Sequence, residues 1–193
     1  MNSEKQKEKA RRGAIGENNV ASILMQHGWD TFNANASIKN YKSIDLICTK
    51  APDQSSQKPW KPEVTFIQVK TCVQSNIPIG FSIEQCISKS YLEKNVVGPY
   101  VFVYVDQSDD VMKFRYFILS RRQFIDLAYE AHQFYMNGYH RNDPRPSEKS
   151  PAGLYVRWLE GKSEDENAKH DAFHNPLNGI SSENKWENIW IED

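Results

Sequence analysis

An α/β domain with a mixed central β-sheet flanked by helices is predicted by three features of this 193-residue sequence. A long amphipathic helical pattern opens the chain. Two β-rich runs, SIDLICT and EVTFIQVKT, then follow one another as a hairpin would. Beyond a second helical stretch lies PYVFVYV, whose almost unbroken apolar character suits a strand buried on both faces.

The first helix is expected from about Lys9 to His27, closed by Gly28 as a C-cap. Ala14, Val20, Ala21, Leu24 and Met25 fall on one side at about 100° per residue, and Glu17 lies in the middle of that stripe. Thr31 to Ala34 reads as a short strand. Ser43 to Thr49 and Glu63 to Thr71 form the hairpin, joined by the proline-bearing loop Lys50 to Pro62. A turn is expected around Asn76 to Gly80, a helix over Ile83 to Lys94, and strands over Pro99 to Val105 and Val111 to Leu119. Ser120 and Gln123 form a capping-box pattern. They open a helix whose core face is Phe124, Leu127, Ala128, Ala131 and Phe134. Asn137 to Ala152 reads as a loop and Gly153 to Leu159 as a returning strand, and Trp186, Ile189 and Trp190 end the chain as a packed helical turn.

Residues 1–159 are read as one domain and 160–193 as an acidic C-terminal extension packing on it. The net charge of -1 conceals the contrast. Residues 1–159 hold 21 Lys and Arg against 16 Asp and Glu, while 160–193 hold 3 against 9. A basic body suits contact with nucleic acid, because phosphate neutralisation supplies most sequence-independent affinity. At 39% hydrophobic and 25% charged, the composition is that of a folded domain. No apolar run approaches the roughly 20 residues that span a bilayer, and no secretion signal follows the basic N-terminus. Membrane partners are therefore not expected. Cys48, Cys72 and Cys86 lack metal-site or disulfide spacing and read as reduced, buried thiols of a cytosolic protein.

Three polar residues fall where apolar ones are expected: Glu17 on its helical stripe, Asp45 inside SIDLIC and Lys70 near the end of a buried strand. Each carries a desolvation cost that converging opposite charges would offset. Gln68 and Lys70 are two apart and so share one face of the sheet. Asp45, on the neighbouring strand, can join them. Carboxylates, an amide oxygen and an ammonium at one sheet edge suit phosphodiester hydrolysis with a hard divalent cation, Mg²⁺ or Mn²⁺. Asp45 would be the central ligand, with Gln68 and the Val69 backbone carbonyl completing the shell and Glu17 binding directly or through water. Lys70 would orient the attacking water and offset transition-state charge.

At these positions, GAIGEN with Glu17, SIDLIC with Asp45 and IQVKT with Gln68 and Lys70, the sequence resembles the restriction-endonuclease-like, PD-(D/E)xK nuclease superfamily. The QxK form is similar to that of Mrr-like nucleases. The resemblance covers roughly residues 10 to 105. It implies a restriction-endonuclease-like core and Mg²⁺-dependent endonuclease cleavage of DNA in restriction, repair or mobile-element biology, with a homodimer as one route to cutting both strands. Two departures stand out: Ile44 precedes Asp45 where the family pattern has proline, and Gln68 replaces an acid. The loss of that charge keeps open an alternative, a catalytically degenerate nuclease-fold module that binds nucleic acid or a protein partner. A third reading makes Asp45 and Lys70 a structural ion pair in an unrelated α/β domain.

Other candidates carry less. His170 and His174 have i, i+4 spacing without a third ligand. Gln85 and Tyr91 are similar to the Gln and Tyr that follow the lysine in RecB-like nucleases, at a spacing two residues longer. Lys39, Lys42, Arg121, Arg122, Arg141 and Arg145 could touch phosphates, and Tyr41, Trp60 or Tyr139 could stack on bases.

Overall fold

The computed structural model describes residues 3–36, 44–50, 63–73, 76–106, 111–137, 148, 149, 151, 153–157 and 182–190. Helix α1 (Ser3–Gln26) begins before the expected Lys9, because its first turns are rich in Lys, Glu and Gln, good helix formers at exposed positions. It closes on Gly28 (φ 83°). There the Gly28 N–H donates to the Met25 carbonyl and the Trp29 N–H to the Leu24 carbonyl, each at 3.0 Å. That pair of bonds is the Schellman arrangement, which only a left-handed residue closes without strain. Trp29 and Leu24 meet in the core beneath it.

The chain then lays down β1 (Asp30–Asn33), β2 (Leu46–Lys50), β3 (Glu63–Cys72), β5 (Tyr100–Asp106) and β6 (Lys113–Leu119) as one sheet in the order β1-β2-β3-β5-β6. The predicted hairpin is the antiparallel pair β2–β3, with Leu46 opposite Ile67. β5 pairs parallel to β3, Gln68 facing Tyr100, and every other neighbour is antiparallel, so the sheet is mixed. A parallel neighbour needs a crossover. Here it is made by β4 (Asn76–Ser82), α2 (Ile83–Cys86) and α3 (Lys89–Asn95).

Two expectations fail in this crossover. Asn76 to Gly80 is not a turn: β4 pairs antiparallel with β7 (Gly153–Arg157) in a separate two-stranded sheet. The alternation of Ile77 and Ile79, both fully buried, outweighs the turn-forming Asn, Pro and Gly. Pro78 is tolerated in this short ribbon and Gly80 (φ 89°) falls where the register shifts. The helix expected over Ile83 to Lys94 is two. Ser82 and Gln85 form a capping box that starts α2, and Ser88 is extended (φ -127°, ψ 120°) before α3.

Each face of the sheet carries its own core. On one face α1 lays Val20 and Leu24 over Leu46, Cys48, Ile67, Val69, Val101 and Val103, joined by Ile189 of a short 3-10 helix (Trp186–Trp190). Trp190 stacks on Trp29 at 3.5 Å between centroids, and the Ser182 carbonyl accepts the Ile118 N–H. On the other face α4 (Arg121–Asn137) packs Phe124, Ile125, Leu127, Ala128 and Ala131 against Tyr100, Phe102, Phe117 and Leu119. Its predicted capping box forms: the Ser120 N–H donates to Gln123 Oε1 at 2.9 Å and the Gln123 N–H to Ser120 Oγ at 3.2 Å. Phe134, expected on the core face, is only half-buried, and Tyr135 and Met136 are the residues of this turn that pack against the core. All three cysteines are buried and unpaired with one another, and burial pushes the Cys48 and Cys86 thiols up to about 12. No helix among the described residues is long and apolar enough to cross a membrane.

Two glycines of α1 separate packing from helix propensity. A Cβ at Gly16 would stand 1.9 Å from Thr71 Oγ1, whereas one at Gly13 would meet nothing within 4 Å. Gly16→Ala should therefore cost about 1–3 kcal/mol by overpacking, lowering the melting temperature by several degrees. Gly13→Ala should be stabilising by about 0.5–1 kcal/mol. Thermal melts of both variants check this, and equal shifts would refute the close approach of α1 to β3.

Candidate active site at the open edge of β3

The site arises from a length mismatch. β2 pairs with β3 only from Leu46↔Ile67 to Lys50↔Glu63, so from Gln68 onward the β2-side edge of β3 has no partner strand among the described residues. An open edge exposes main-chain groups that need partners. Asp45, just before β2, supplies them: its N–H donates to the Ile67 carbonyl (2.9 Å), and its Oδ2 accepts the Val69 N–H at 2.7 Å. The carboxylate thus stands where a neighbouring strand's carbonyl would. The Val69 carbonyl faces the same side, since N–H and C=O of one strand residue share an edge.

Strand alternation sets the remaining partners. Ile67 and Val69 are buried under α1, so Gln68 and Lys70 project from the opposite face, half-buried. Leu46 and Cys48 also face α1, which gives Asp45 the same side as Gln68 and Lys70. Burial lowers the Lys70 ammonium from its usual range, while Asp45 and Glu17 hold it up and Lys9 pushes it further down. Its stem runs against β4, where Cε lies 3.2 Å from the position a Cβ at Gly80 would take.

Glu17 arrives from the opposite layer. The buried line of α1 is Gly16, Val20 and Leu24, whereas Ala14 is exposed and Met25 is 55% exposed. Glu17 therefore stands on the flank of the stripe rather than at its centre. The physical reason is Gly16, an unexpected member of the stripe, whose bare Cα rests against Thr71. That contact brings the next residue beside the open end of β3. Burial raises the Glu17 carboxyl above its ordinary range, and the nearby Asp45 charge raises it again; a hydrogen bond from Asn33 and the Lys70 charge oppose this. The predicted quartet is thus brought together: Asp45 lies beside β3, and Glu17 and Lys70 each respond to its charge.

Three further residues belong to the cluster and were not foreseen from sequence. Asn33 Nδ2 donates to Glu17 Oε2 at 3.4 Å and Asn35 Nδ2 to Asp45 Oδ1 at 3.1 Å. The Asn35 N–H donates to Asn33 Oδ1 at 2.8 Å, an Asx turn that points the Asn33 amide nitrogen at Glu17. The Ala34 N–H donates to the Asp45 carbonyl at 2.9 Å, tying this segment to the strand beginning. Asn-x-Asn at the end of a strand was the available signal. Tyr100, opposite Gln68 on β5, has its phenol held neutral by burial and by the Asp45 charge.

The donor set fits a hard divalent cation. Two carboxylates close enough to repel are an arrangement a cation relieves, and Mg²⁺ is commonly held by one or two carboxylates together with waters and substrate phosphate. Among the described residues no three His, Cys, Asp or Glu side chains gather to form a richer site.

The weaker candidates fare differently. Gln85 is spent on the α2 capping box and donates from Nε2 to the Tyr91 hydroxyl at 3.1 Å. Arg121 closes α3 onto α4, donating to the Glu93 and Val96 carbonyls, and so has a structural task. Arg122 lines a surface depression with Lys89 and Asp126, which pair at 2.6 Å. Lys39, Lys42, Arg141, Arg145, Tyr41, Trp60, Tyr139, His170 and His174 lie outside the described residues. Comparison with family models, with curated proteins and with solved structures finds no match for this chain.

The raised Glu17 carboxyl has a measurable consequence. Its folded-state value exceeds the unfolded value of 4.5, so the folded protein holds the proton more tightly. That contribution is present at low pH and is lost as pH rises through the raised value. In metal-free buffer Glu17→Gln should melt above wild type at neutral pH, with the gap closing as pH falls toward 4.5. A gap that does not change with pH would show that Glu17 ionises without cost.

Proposed function

We propose that this protein is a metal-dependent nuclease hydrolysing DNA phosphodiesters, built on a restriction-endonuclease-like core. The observation that carries the reading is the convergence of Glu17, Asp45 and Lys70 beside Gln68 at the open edge of β3. The mixed sheet, with β3 parallel to β5, supports the same assignment.

The two carboxylates, the Gln68 amide oxygen and the Val69 carbonyl would hold Mg²⁺ or Mn²⁺. Such a cation, when bound, polarises a phosphoryl oxygen and lowers the pKa of its water. The chain's own residues do the rest. The Val69 N–H, Asn33 and Asn35 hold the carboxylate oxygens in place, leaving each carboxylate further lone pairs. Lys70 brings a positive charge whose desolvation strengthens its attraction for a phosphate in the same cleft. A second reading, the degenerate nucleic-acid-binding or protein-binding module, draws support from Gln68, which leaves the site with two carboxylates rather than three.

Supercoiled plasmid incubated with Mg²⁺ or Mn²⁺ should be nicked or linearised, and Asp45→Ala and Lys70→Ala should each reduce the rate by about 100-fold or more. Undiminished cleavage by both variants would sink the mechanism. Gln68→Glu should tighten Mn²⁺ binding measured by calorimetry, because it restores a third carboxylate. Unchanged or weaker affinity would remove residue 68 from the ligand set.

A further inference from the structure

The face that carries the candidate site is only half covered. Over β5 it lies under α4, where Tyr100 stacks on Phe124 at 3.5 Å, and over the C-terminal part of β3 it meets β4, with the Lys70 stem against Gly80. Over β1, β2 and the first half of β3 the same face is open among the described residues. Alternation puts Phe66 on one side of the sheet with Gln68 and Lys70, and Ile47 with Asp45. The register sets Phe32 opposite Ile47 and Ile47 opposite Phe66. The result is an apolar row across three strands, one same-face step, about 7 Å, from Gln68 and Asp45. Phe32 is 57% exposed and Phe66 38%, with Val64 on the same side of β3 also exposed.

We propose that this row is a stacking platform for unpaired nucleobases, and that the substrate of the adjoining site is therefore single-stranded or locally unpaired DNA. The inference rests on the nuclease reading for the position of the phosphate. Its own warrant is the geometry of the row. Rings laid across a sheet offer flat π-faces, on which any base can stack irrespective of sequence. A base paired inside a duplex has both faces already covered by its neighbours, so only an unpaired base can use them. A strand whose phosphate sits between Asp45 and Lys70 carries its next base over Phe66 and then Phe32. A protein partner is the poorer occupant, since a stable interface takes roughly 20–30 residues a side, whereas the row supplies three and Val64 a fourth.

The experiment uses the full chain in EDTA, so that binding is read without cleavage. The probes are a labelled short oligothymidylate and a labelled duplex of the same length. Phe32→Ala and Phe66→Ala should each weaken oligothymidylate binding by about 5- to 150-fold, corresponding to the roughly 1–3 kcal/mol of a lost base–aromatic stack, and leave duplex binding unchanged. Phe66→Tyr should restore the affinity that Phe66→Ala loses. Both rings are exposed, so unaltered melting temperatures are expected and guard against misfolding. Unchanged oligothymidylate binding, or an equal loss on duplex, overturns the proposal. So does a wild-type dimer that the alanine variants convert to monomer, since a second copy would then be the occupant. Ring-dependent binding by a wild-type protein that cuts nothing with Mg²⁺ or Mn²⁺ supports the platform while the hydrolytic reading fails. Cleavage that is indifferent to the rings has the opposite meaning.

Discussion

The Asp45 carboxylate bonded to the Val69 main-chain N–H is the interaction on which the architecture of this site depends. β3 runs on past the point where β2 begins, and a main-chain donor left bare there would need water or another partner. A charged acceptor at 2.7 Å satisfies it with a strong bond. One carboxylate thereby completes the sheet edge and is itself fixed in the cleft. The site is built into the ladder rather than added on a loop.

Around that bond the charges are set against one another. Burial disfavours both the Glu17 carboxylate and the Lys70 ammonium, yet each is favoured by the opposite charge of the other. Glu17 and Asp45 repel, and two asparagine amides offset part of that repulsion. The cluster is thus held by opposing charges and hydrogen bonds rather than by a single ion pair. α1 matters because Gly16 lets it approach β3 at Thr71; a bulkier residue would hold Glu17 away from the edge.

How far the sequence could be read varied by element. The β2–β3 hairpin, the buried β5 and the α4 capping box were legible because period-two alternation, an unbroken apolar run and a Ser-x-x-Gln cap are local signals. β4 was hidden because Pro78 and Gly80 are turn residues in isolation, and only pairing with the distant β7 makes them strand residues. In the site, Glu17, Asp45 and Lys70 announced themselves as polar residues where apolar ones were expected, and Gln68 by its place two before Lys70. Asn33, Asn35 and Tyr100 did not, since each is ordinary where it stands in the chain and becomes notable only through what it touches.

The sequence by itself determined which residues are anomalous, the α/β alternation of elements and the shared face of Gln68 and Lys70, because periodicity and burial cost are properties of short segments. Only the tertiary structure decided that Glu17 reaches the edge from the opposite layer, that Asp45 replaces a strand partner and that the apolar row beside it is uncovered among the described residues. Those outcomes turn on where one strand begins relative to another and on how closely a helix can approach, quantities set by long-range pairing and packing rather than by any local run of residues.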